Sequence, residues 1–215
     1  MSALSLAEKW RPRTWGEVVG QDKAVSTLRR VGERGGFGGR AYFLSGPSGG
    51  GKTTCARLIA AEVADDWAVE VVDAGALTPA RLRDLFDGLR TYSMGKGGRA
   101  LIIEEAHGLS AAVVRALLVL LESIPAHAAV CFTTTTEGLD KLDGIDAAPL
   151  FSRTIRVPLA QRGVAEAFAE RARTIAQAEN LDGQPVERYM RLAKDNRNNL
   201  RAMLSAIEAG AMIDG

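Results

Sequence analysis

Two kinds of hydrophobic pattern alternate along the first three quarters of the chain. Short, nearly continuous apolar runs predict five buried strands, at residues 41–45, 68–73, 100–103, 128–136 and 154–158. Between these runs, apolar residues recur every three to four positions and predict helices at residues 21–34, 53–64, 78–90 and 110–123. Strands that alternate with helices form right-handed βαβ units. The pattern therefore predicts an α/β fold, with a five-stranded parallel sheet covered by helices.

The pattern changes after Leu159. Three helical segments, at residues 164–179, 186–194 and 200–212, follow one another without a strand between them. We therefore predict an α/β domain at residues 1–159 and a small three-helix domain at residues 160–215. Within the first domain, residues 137–150 are predicted to be a loop. Residues 1–20 show no clear period, but they contain Trp10 and Trp15 and are expected to form an ordered arm packed on the domain.

The composition is that of an ordinary soluble globular protein, with 47% hydrophobic residues. The net charge of +1 comes from 27 basic and 26 acidic side chains, so any contact with DNA must depend on the local placement of charge. Cys55 and Cys131 lie in apolar segments and are expected to be buried thiols of a reducing compartment. Because no apolar run approaches the ~18 residues of a membrane span, we expect a cytoplasmic protein without membrane contact.

A glycine-rich stretch lies between the first strand and the next helix. It fits the phosphate-binding pattern G-x-x-x-x-G-K-[ST], and its residues are Gly46, Pro47, Ser48, Gly49, Gly50, Gly51, Lys52, Thr53 and Thr54. Glycines let the backbone curl with its N–H groups toward phosphate, and the helix N-terminus adds a favourable dipole. We expect Lys52 to reach the β- and γ-phosphates of ATP and the Thr53 hydroxyl to hold Mg²⁺. If the stretch were only a glycine-rich turn without a ligand, the lysine and both threonines would stand at the motif positions by coincidence.

The strand at residues 100–103 runs into two glutamates. Beside a phosphate loop, the usual arrangement places first an aspartate that supports Mg²⁺ and then a glutamate that orients or deprotonates the attacking water. Glu105 stands in the second place and is the candidate for activating water. Glu104 stands in the first place, one methylene longer than aspartate, so we expect its metal contact to be shifted or weakened. His107, just after the pair, is interpreted as a structural histidine.

These motifs and three further blocks resemble the AAA+ ATPases. Within that superfamily they resemble the sliding-clamp-loader subunits, namely the replication factor C small subunits and the bacterial DnaX type. The blocks are LAEKWRPRTWGEVVGQ, GPSGGGKTT, LIIEEAHGLS with RALLVLLESIP, TTTTEGLDKL and FSRTIRV. The resemblance implies an AAA+ nucleotide-binding domain followed by a helical lid.

The resemblance also implies roles for residues outside the phosphate loop and the acidic pair. The backbone around Val18 and Val19 would contact the adenine. Thr135 would be the polar sensor of the γ-phosphate. Arg153 would enter the nucleotide site of a neighbouring subunit. Arg201, near the start of the last helix, would be the second sensor and reach back to phosphate.

The chain departs from the family pattern in several places. Glu104 replaces aspartate, Thr154 stands where cysteine is frequent, and the four zinc cysteines of the DnaX type are absent, which favours the replication-factor or phage type. The resemblance implies neighbouring AAA+ subunits in a ring, primer–template DNA and a sliding clamp as partners, and Glu122 matches a position that can face the neighbouring subunit. Because the chain stops after the lid, we expect it to lack the helical collar of clamp loaders, as a compact relative or a shortened form.

Two functions of different classes follow from these observations. The first is an ATP-hydrolysing subunit that couples its nucleotide state to partner and DNA engagement. The second is a scaffold subunit that seldom hydrolyses ATP and presents Arg153 to a partner, which the glutamate at position 104 favours. Another AAA+ DNA motor, such as a branch-migration helicase, fits the phosphate loop equally well but the N-terminal block and the Ser-Arg motif less well.

Overall fold

The computed structural model describes residues 4–143 and 147–213. Within them, the strands are β1 (Arg40–Ser45), β2 (Val69–Asp73), β3 (Arg99–Glu104), β4 (Ala128–Thr134) and β5 (Ile155–Pro158). The α-helices are α1 (Leu6–Lys9), α2 (Asp22–Glu33), α3 (Lys52–Val63), α4 (Pro79–Leu89), α5 (Ala111–Leu120), α6 (Thr136–Asp143), α7 (Ala148–Ser152), α8 (Ala165–Ala178), α9 (Val186–Asp195) and α10 (Leu200–Glu208). Short 3-10 helices lie at Trp15–Glu17, Asp66–Ala68, Ala74–Ala76, Ala106–Gly108 and Leu121–Ser123.

The five strands form one sheet in the order β2-β3-β4-β1-β5, and all neighbouring strands are parallel. This confirms the predicted five-stranded parallel sheet. Strand β4 lies between β1 and β3, with Ser45 opposite Thr134 and Ile103 opposite Phe132. The carboxyl ends of β1, β3 and β4 therefore lie side by side at one edge of the sheet.

Local capping explains where the helices on this sheet begin. The Thr78 hydroxyl accepts a hydrogen bond from the Arg81 amide at 3.2 Å, and Pro79 occupies the first turn of α4. Ser110 caps α5 in the same way through the Val113 amide at 3.3 Å. The predicted helix at 110–123 is α-helical only to Leu120, and its last turn is the 3-10 helix Leu121–Ser123.

By its internal contacts the chain divides into two compact units. The sheet unit comprises residues 26–46 and 52–158. Its apolar core includes Phe43, Ile103 and Phe132, none more than 1% exposed. Cys55 and Cys131 are fully buried in the same unit, and burial raises the pKa of the Cys55 thiol to about 12 and that of Cys131 still further.

The helical unit comprises the described residues up to Val25, the loop residues Pro47–Gly51 and the chain from Leu159 onward. Leu6 of α1 is 6% exposed and packs among the apolar residues of α8, α9 and α10. Trp10 packs on this helical cluster, whereas the arm was predicted to pack on the α/β domain, and its indole donates to Glu179 at 2.6 Å. Hydrogen bonds from Lys9 and then Trp10 lower the pKa of the Glu179 carboxyl. The division by compactness starts the C-terminal part of the helical unit at Leu159, next to the predicted boundary, and also assigns the arm to this unit.

The segment at 137–150 was predicted to be a loop, and this prediction was wrong. It forms α6 and the start of α7, with residues 144–146 outside the described part of the chain. The Thr135 hydroxyl accepts a hydrogen bond from the Gly138 amide at 3.1 Å and so begins α6. Leu142 and Leu150 are fully buried in the core of the sheet unit. The last predicted helix is also shorter than expected, because α10 ends at Glu208 before Gly210, whose φ is 92°.

Among the described helices, none has the length and apolar character that a membrane crossing requires.

Candidate nucleotide-binding site

The predicted phosphate loop leaves the carboxyl end of β1 and leads into α3. Gly49 and Gly51 have φ values of 68° and 101°, a backbone region that residues with a side chain rarely adopt. The amide of Gly50 donates to the Pro47 carbonyl at 3.2 Å and closes a turn inside the loop. Pro47 and Gly50 are buried, Ser48 is exposed, and Thr54 is half-buried. The local conformation therefore favours glycine at positions 49 and 51.

Lys52, the first residue of α3, is only 8% exposed. Its ammonium group donates to the carbonyl of Gly46 at 3.0 Å and so reaches back to the start of the loop. A buried ammonium requires hydrogen-bond acceptors, and here a loop carbonyl is one of them. A phosphate oxygen would be a stronger acceptor at the same place because it carries charge.

Thr53 and Glu104 meet where α3 begins and β3 ends. The Thr53 hydroxyl donates to Glu104 Oε1 at 2.7 Å, and both residues are half-buried. Mg²⁺ takes one or two protein oxygens and completes its shell with waters and phosphate, and the Thr53 hydroxyl and the Glu104 carboxylate offer oxygens of this kind. Among the described residues no group of three acidic, histidine or cysteine side chains is placed to hold a metal.

Glu105 follows the strand in the left-handed region, with φ 53° and ψ 47°. A residue other than glycine pays about 1 kcal/mol or more to adopt this conformation, and such residues concentrate at functional sites. Glu105 is exposed, and its Oε2 lies 3.3 Å from Nδ1 of His107. The same nitrogen lies 3.3 Å from the Thr134 hydroxyl of β4. His107 therefore joins the end of β3 to the end of β4.

Thr135, the predicted sensor, directly follows β4, the strand between the loop strand β1 and the acidic strand β3. Its half-buried hydroxyl accepts from the Gly138 amide and so caps α6. Thr134, which the sequence pattern did not single out, is the residue whose hydroxyl contacts His107. Its contact with His107 shows only in the folded chain.

The family model described as "ATPase family associated with various cellular activities (AAA)" matches residues 42–159, more than half of the 215 residues. The chain belongs to the AAA family. The matched region contains the phosphate loop, the acidic pair and Thr135. Nucleotide binding and ATPase activity in general are therefore the activities of its family.

Relatives of this AAA chain include replication factor C subunits and DNA polymerase III tau subunits. It is 39% identical over 116 residues to a replication factor C large subunit of Methanosarcina mazei, which covers 51% of this chain and 18% of the relative. It is 33% identical over 159 residues to a DNA polymerase III subunit tau of Salmonella typhimurium, covering 63% and 24%. A replication factor C small subunit of Haloarcula marismortui is 28% identical over 182 residues, covering 81% and 53%. The chain thus spans about a fifth to a half of the length of these relatives.

Solved structures show the same AAA fold. The RuvB Holliday junction branch migration motor of Thermotoga maritima matches with a TM-score of 0.72 and 24% identity, over 93% of this chain and 64% of that one. The likeness at this identity establishes the fold.

The remaining predicted site residues lie apart from the loop and the acidic pair in sequence. Arg153 is exposed in the sheet unit, directly after α7. Its guanidinium donates to Glu122 Oε1 at 2.7 and 3.2 Å and to the Pro149 carbonyl at 3.1 Å. Since Arg153 and Glu122 are both at the surface, a second molecule can reach them.

In the helical unit, Val18 and Val19 are half-buried, and Val19 packs on the helical core. The side chain of Gln21 holds the next residues in place: it donates to the Ala160 carbonyl at 3.1 Å and accepts from the Ala160 amide at 2.7 Å. Arg201 is exposed on the first turn of α10.

Proposed function

We propose that this chain is an ATP-hydrolysing subunit of a clamp-loader-like assembly, which couples its nucleotide state to primer–template DNA and a sliding clamp. The observation that carries the proposal is the Thr53–Glu104 hydrogen bond of 2.7 Å, which brings the end of the phosphate loop to the acidic strand. Family membership and the similarity to replication factor C and polymerase III tau subunits support the same function. ATP and Mg²⁺ are the proposed cofactors.

The residues of the sheet unit divide the chemistry among them. Lys52 would exchange its bond to the Gly46 carbonyl for phosphate oxygens. Thr53 and Glu104 would hold Mg²⁺, which neutralises charge on the phosphates when bound. Glu105 would orient the attacking water, and its left-handed backbone is a conformation of the kind that concentrates at functional sites. His107 restrains that carboxylate, so little motion would be needed before water is positioned.

Arg153 is proposed to act on the nucleotide of a neighbouring subunit. Its bonds to Glu122 hold the guanidinium at the surface in one orientation. An exposed ion pair of this kind contributes only about 0–1 kcal/mol, so phosphate oxygens of a neighbour can replace Glu122 at little cost. A guanidinium delivered in this way stabilises charge in the transition state and is worth ~10³-fold or more in rate. ATP hydrolysis in one subunit would then depend on its assembly with a neighbour.

The scaffold hypothesis predicts a different outcome for the same residues. A subunit that seldom hydrolyses ATP would keep Arg153 and its surface but would not need Glu105. Steady-state ATPase measurements of the wild type and Glu105→Gln, with and without primed DNA, distinguish the two functions. The ATPase proposal requires turnover that the substitution lowers by roughly 10²-fold or more while ATP binding persists. A wild type without turnover in any of these conditions supports the scaffold.

Mixing two inactive variants tests the proposed role of Arg153. Lys52→Ala removes the phosphate-binding ammonium, and Arg153→Ala removes the guanidinium, so each variant alone should show little activity. In a mixed assembly some interfaces pair an intact phosphate loop with an intact Arg153, and ATPase activity should partly return. If the variants associate but no mixture recovers activity, Arg153 does not act between subunits.

A further inference from the structure

Asn199 stands immediately before α10, and its side chain has two neighbours. Its Oδ1 accepts a hydrogen bond from the Ala202 amide at 3.1 Å, which caps the helix. The same oxygen lies directly against Gly49 of the phosphate loop. A Cβ atom added to Gly49 would lie 1.8 Å from Asn199 Oδ1 and 3.2 Å from its Cα. The glycine is therefore needed at position 49 for the approach of Asn199 as well as for its φ of 68°.

The chain takes an unusual path to bring Asn199 to the loop. The two preceding residues, Arg197 and Asn198, both adopt the left-handed region, with φ values of 52° and 57°. Two successive residues of this kind cost about 1–2 kcal/mol each, so other contacts must hold them. The Asn198 side chain donates to the Gln161 carbonyl at 3.2 Å, and the Asn198 backbone N–H donates to the Ala193 carbonyl at 2.8 Å. Hydrogen bonds to Gln161 and Ala193 thus hold the turn that places Asn199 against Gly49.

We propose that Asn199 is a positioning residue for the nucleotide phosphates. It holds the loop at Gly49 and caps the helix that carries Arg201, so the loop and the proposed second sensor keep a fixed relation to each other. This inference rests on the proposed nucleotide binding. The side chain has to be neutral as well as a good cap, because it touches a loop whose N–H groups are there to receive an anion.

The requirement for neutrality separates this role from helix capping. Asparagine, aspartate and serine are comparable N-caps. Asn199→Asp preserves the shape and the cap but adds a negative charge beside the phosphate loop. Asn199→Ser preserves the cap and neutrality but removes the amide that lies against Gly49. Asn180→Asp makes the identical chemical change at an exposed residue after α8 and serves as the control.

The experiment measures the Kd of a fluorescent ATP analogue and the Tm of the full chain for the wild type and the three variants. We expect Asn199→Asp to bind roughly tenfold more weakly or worse, with the loss reduced at high salt because the interaction is between charges. Asn199→Ser should bind more weakly by a smaller factor. Both should keep the wild-type Tm within about 2 °C, since both remain good caps. Asn180→Asp should leave the Kd unchanged.

Two results overturn the inference while leaving nucleotide binding intact. The first is an Asn199→Asp chain that binds within twofold of the wild type. The second is a loss of affinity matched by a loss of Tm, because Asn199 would then act only through the stability of α10. A wild-type chain that fails to bind the analogue overturns the proposed function itself, and the role of Asn199 with it.

Discussion

Thr53 and Glu104 show how one methylene can set the properties of the candidate metal site. The glutamate is long enough to accept the Thr53 hydroxyl directly, at 2.7 Å. An aspartate at the same strand position would be shorter, and the gap would fit a water or a metal ion between the two oxygens. Mg²⁺ prefers to keep several of its waters in near-ideal octahedral geometry. The direct Thr53–Glu104 bond therefore competes with metal binding.

We expect Glu104→Asp to raise ATPase turnover or Mg²⁺ affinity by roughly threefold or more, equivalent to ~0.7 kcal/mol in the relevant step. The measurement is steady-state ATPase activity as a function of Mg²⁺ concentration. Glu104→Gln keeps the length, removes the charge and should lower the activity. An aspartate variant that is less active than the wild type would show that the site has adapted to glutamate.

At this scale the sequence singles out those residues whose roles follow from contiguous motifs. Lys52, Thr53 and Glu105 belong to such motifs, and their roles at a nucleotide site stay predictions. Asn199 and the Glu105–His107–Thr134 contacts could not be predicted. They depend on which strands become neighbours and on how the chain turns before α10, and neither leaves a periodic pattern.

At the scale of elements, helix α6 shows how a cap outweighs a weak pattern. The segment after β4 was predicted to be a loop, yet Thr135 caps a helix there and Leu142 of that helix is fully buried. Gly138 is also the point where α6 packs on the 3-10 helix that carries His107. A Cβ atom at Gly138 would lie 2.5 Å from Thr134 Oγ1 and 2.6 Å from His107 Nδ1.

We expect Gly138→Ala to destabilise the protein by about 1–3 kcal/mol, because an added methyl group overpacks this contact. Turnover should also fall, since His107 must leave its place beside Glu105. Gly88→Ala is the matched control: Gly88 is in α4, and an added Cβ meets nothing within 4 Å. That change should stabilise by about 0.5–1 kcal/mol. Urea unfolding of both variants measures the difference, and two equal free energies of unfolding would refute the close packing at Gly138.

At the scale of the whole molecule, the chain folds as two compact units that do not follow sequence order. The helical unit takes its first helix from the start of the chain and the rest from the end. The parallel sheet was predictable because strand and helix patterns alternate. The grouping of the arm with the last three helices was not, because Leu6 and Trp10 form no periodic pattern and their partners lie at the opposite end of the sequence.

We expect Leu6→Ala to destabilise the helical unit by about 2–4 kcal/mol, since a buried leucine would be replaced by a cavity. Leu4→Ala is its control, because Leu4 is 70% exposed and its truncation should change stability by no more than about 0.5 kcal/mol. Scanning calorimetry of the two variants measures the effect. An unchanged transition in Leu6→Ala would mean that the arm is not part of the helical core.

The rate at which the two buried thiols react with a thiol reagent measures how often the sheet unit opens. Cys131 lies against the Ala56 carbonyl of α3, with Sγ 3.9 Å from the oxygen, and Cys55 lies on the same helix one turn after Lys52. A thiol reagent can modify neither cysteine until the helix separates from the sheet. When reclosing is fast, the labelling rate follows the population of the open form. A ligand that binds only the closed form slows labelling by the factor 1 + [L]/Kd, about 100-fold at 100 times its Kd. The unmodified chain can therefore report its own nucleotide affinity without a fluorescent ligand, through the time its cysteines take to react.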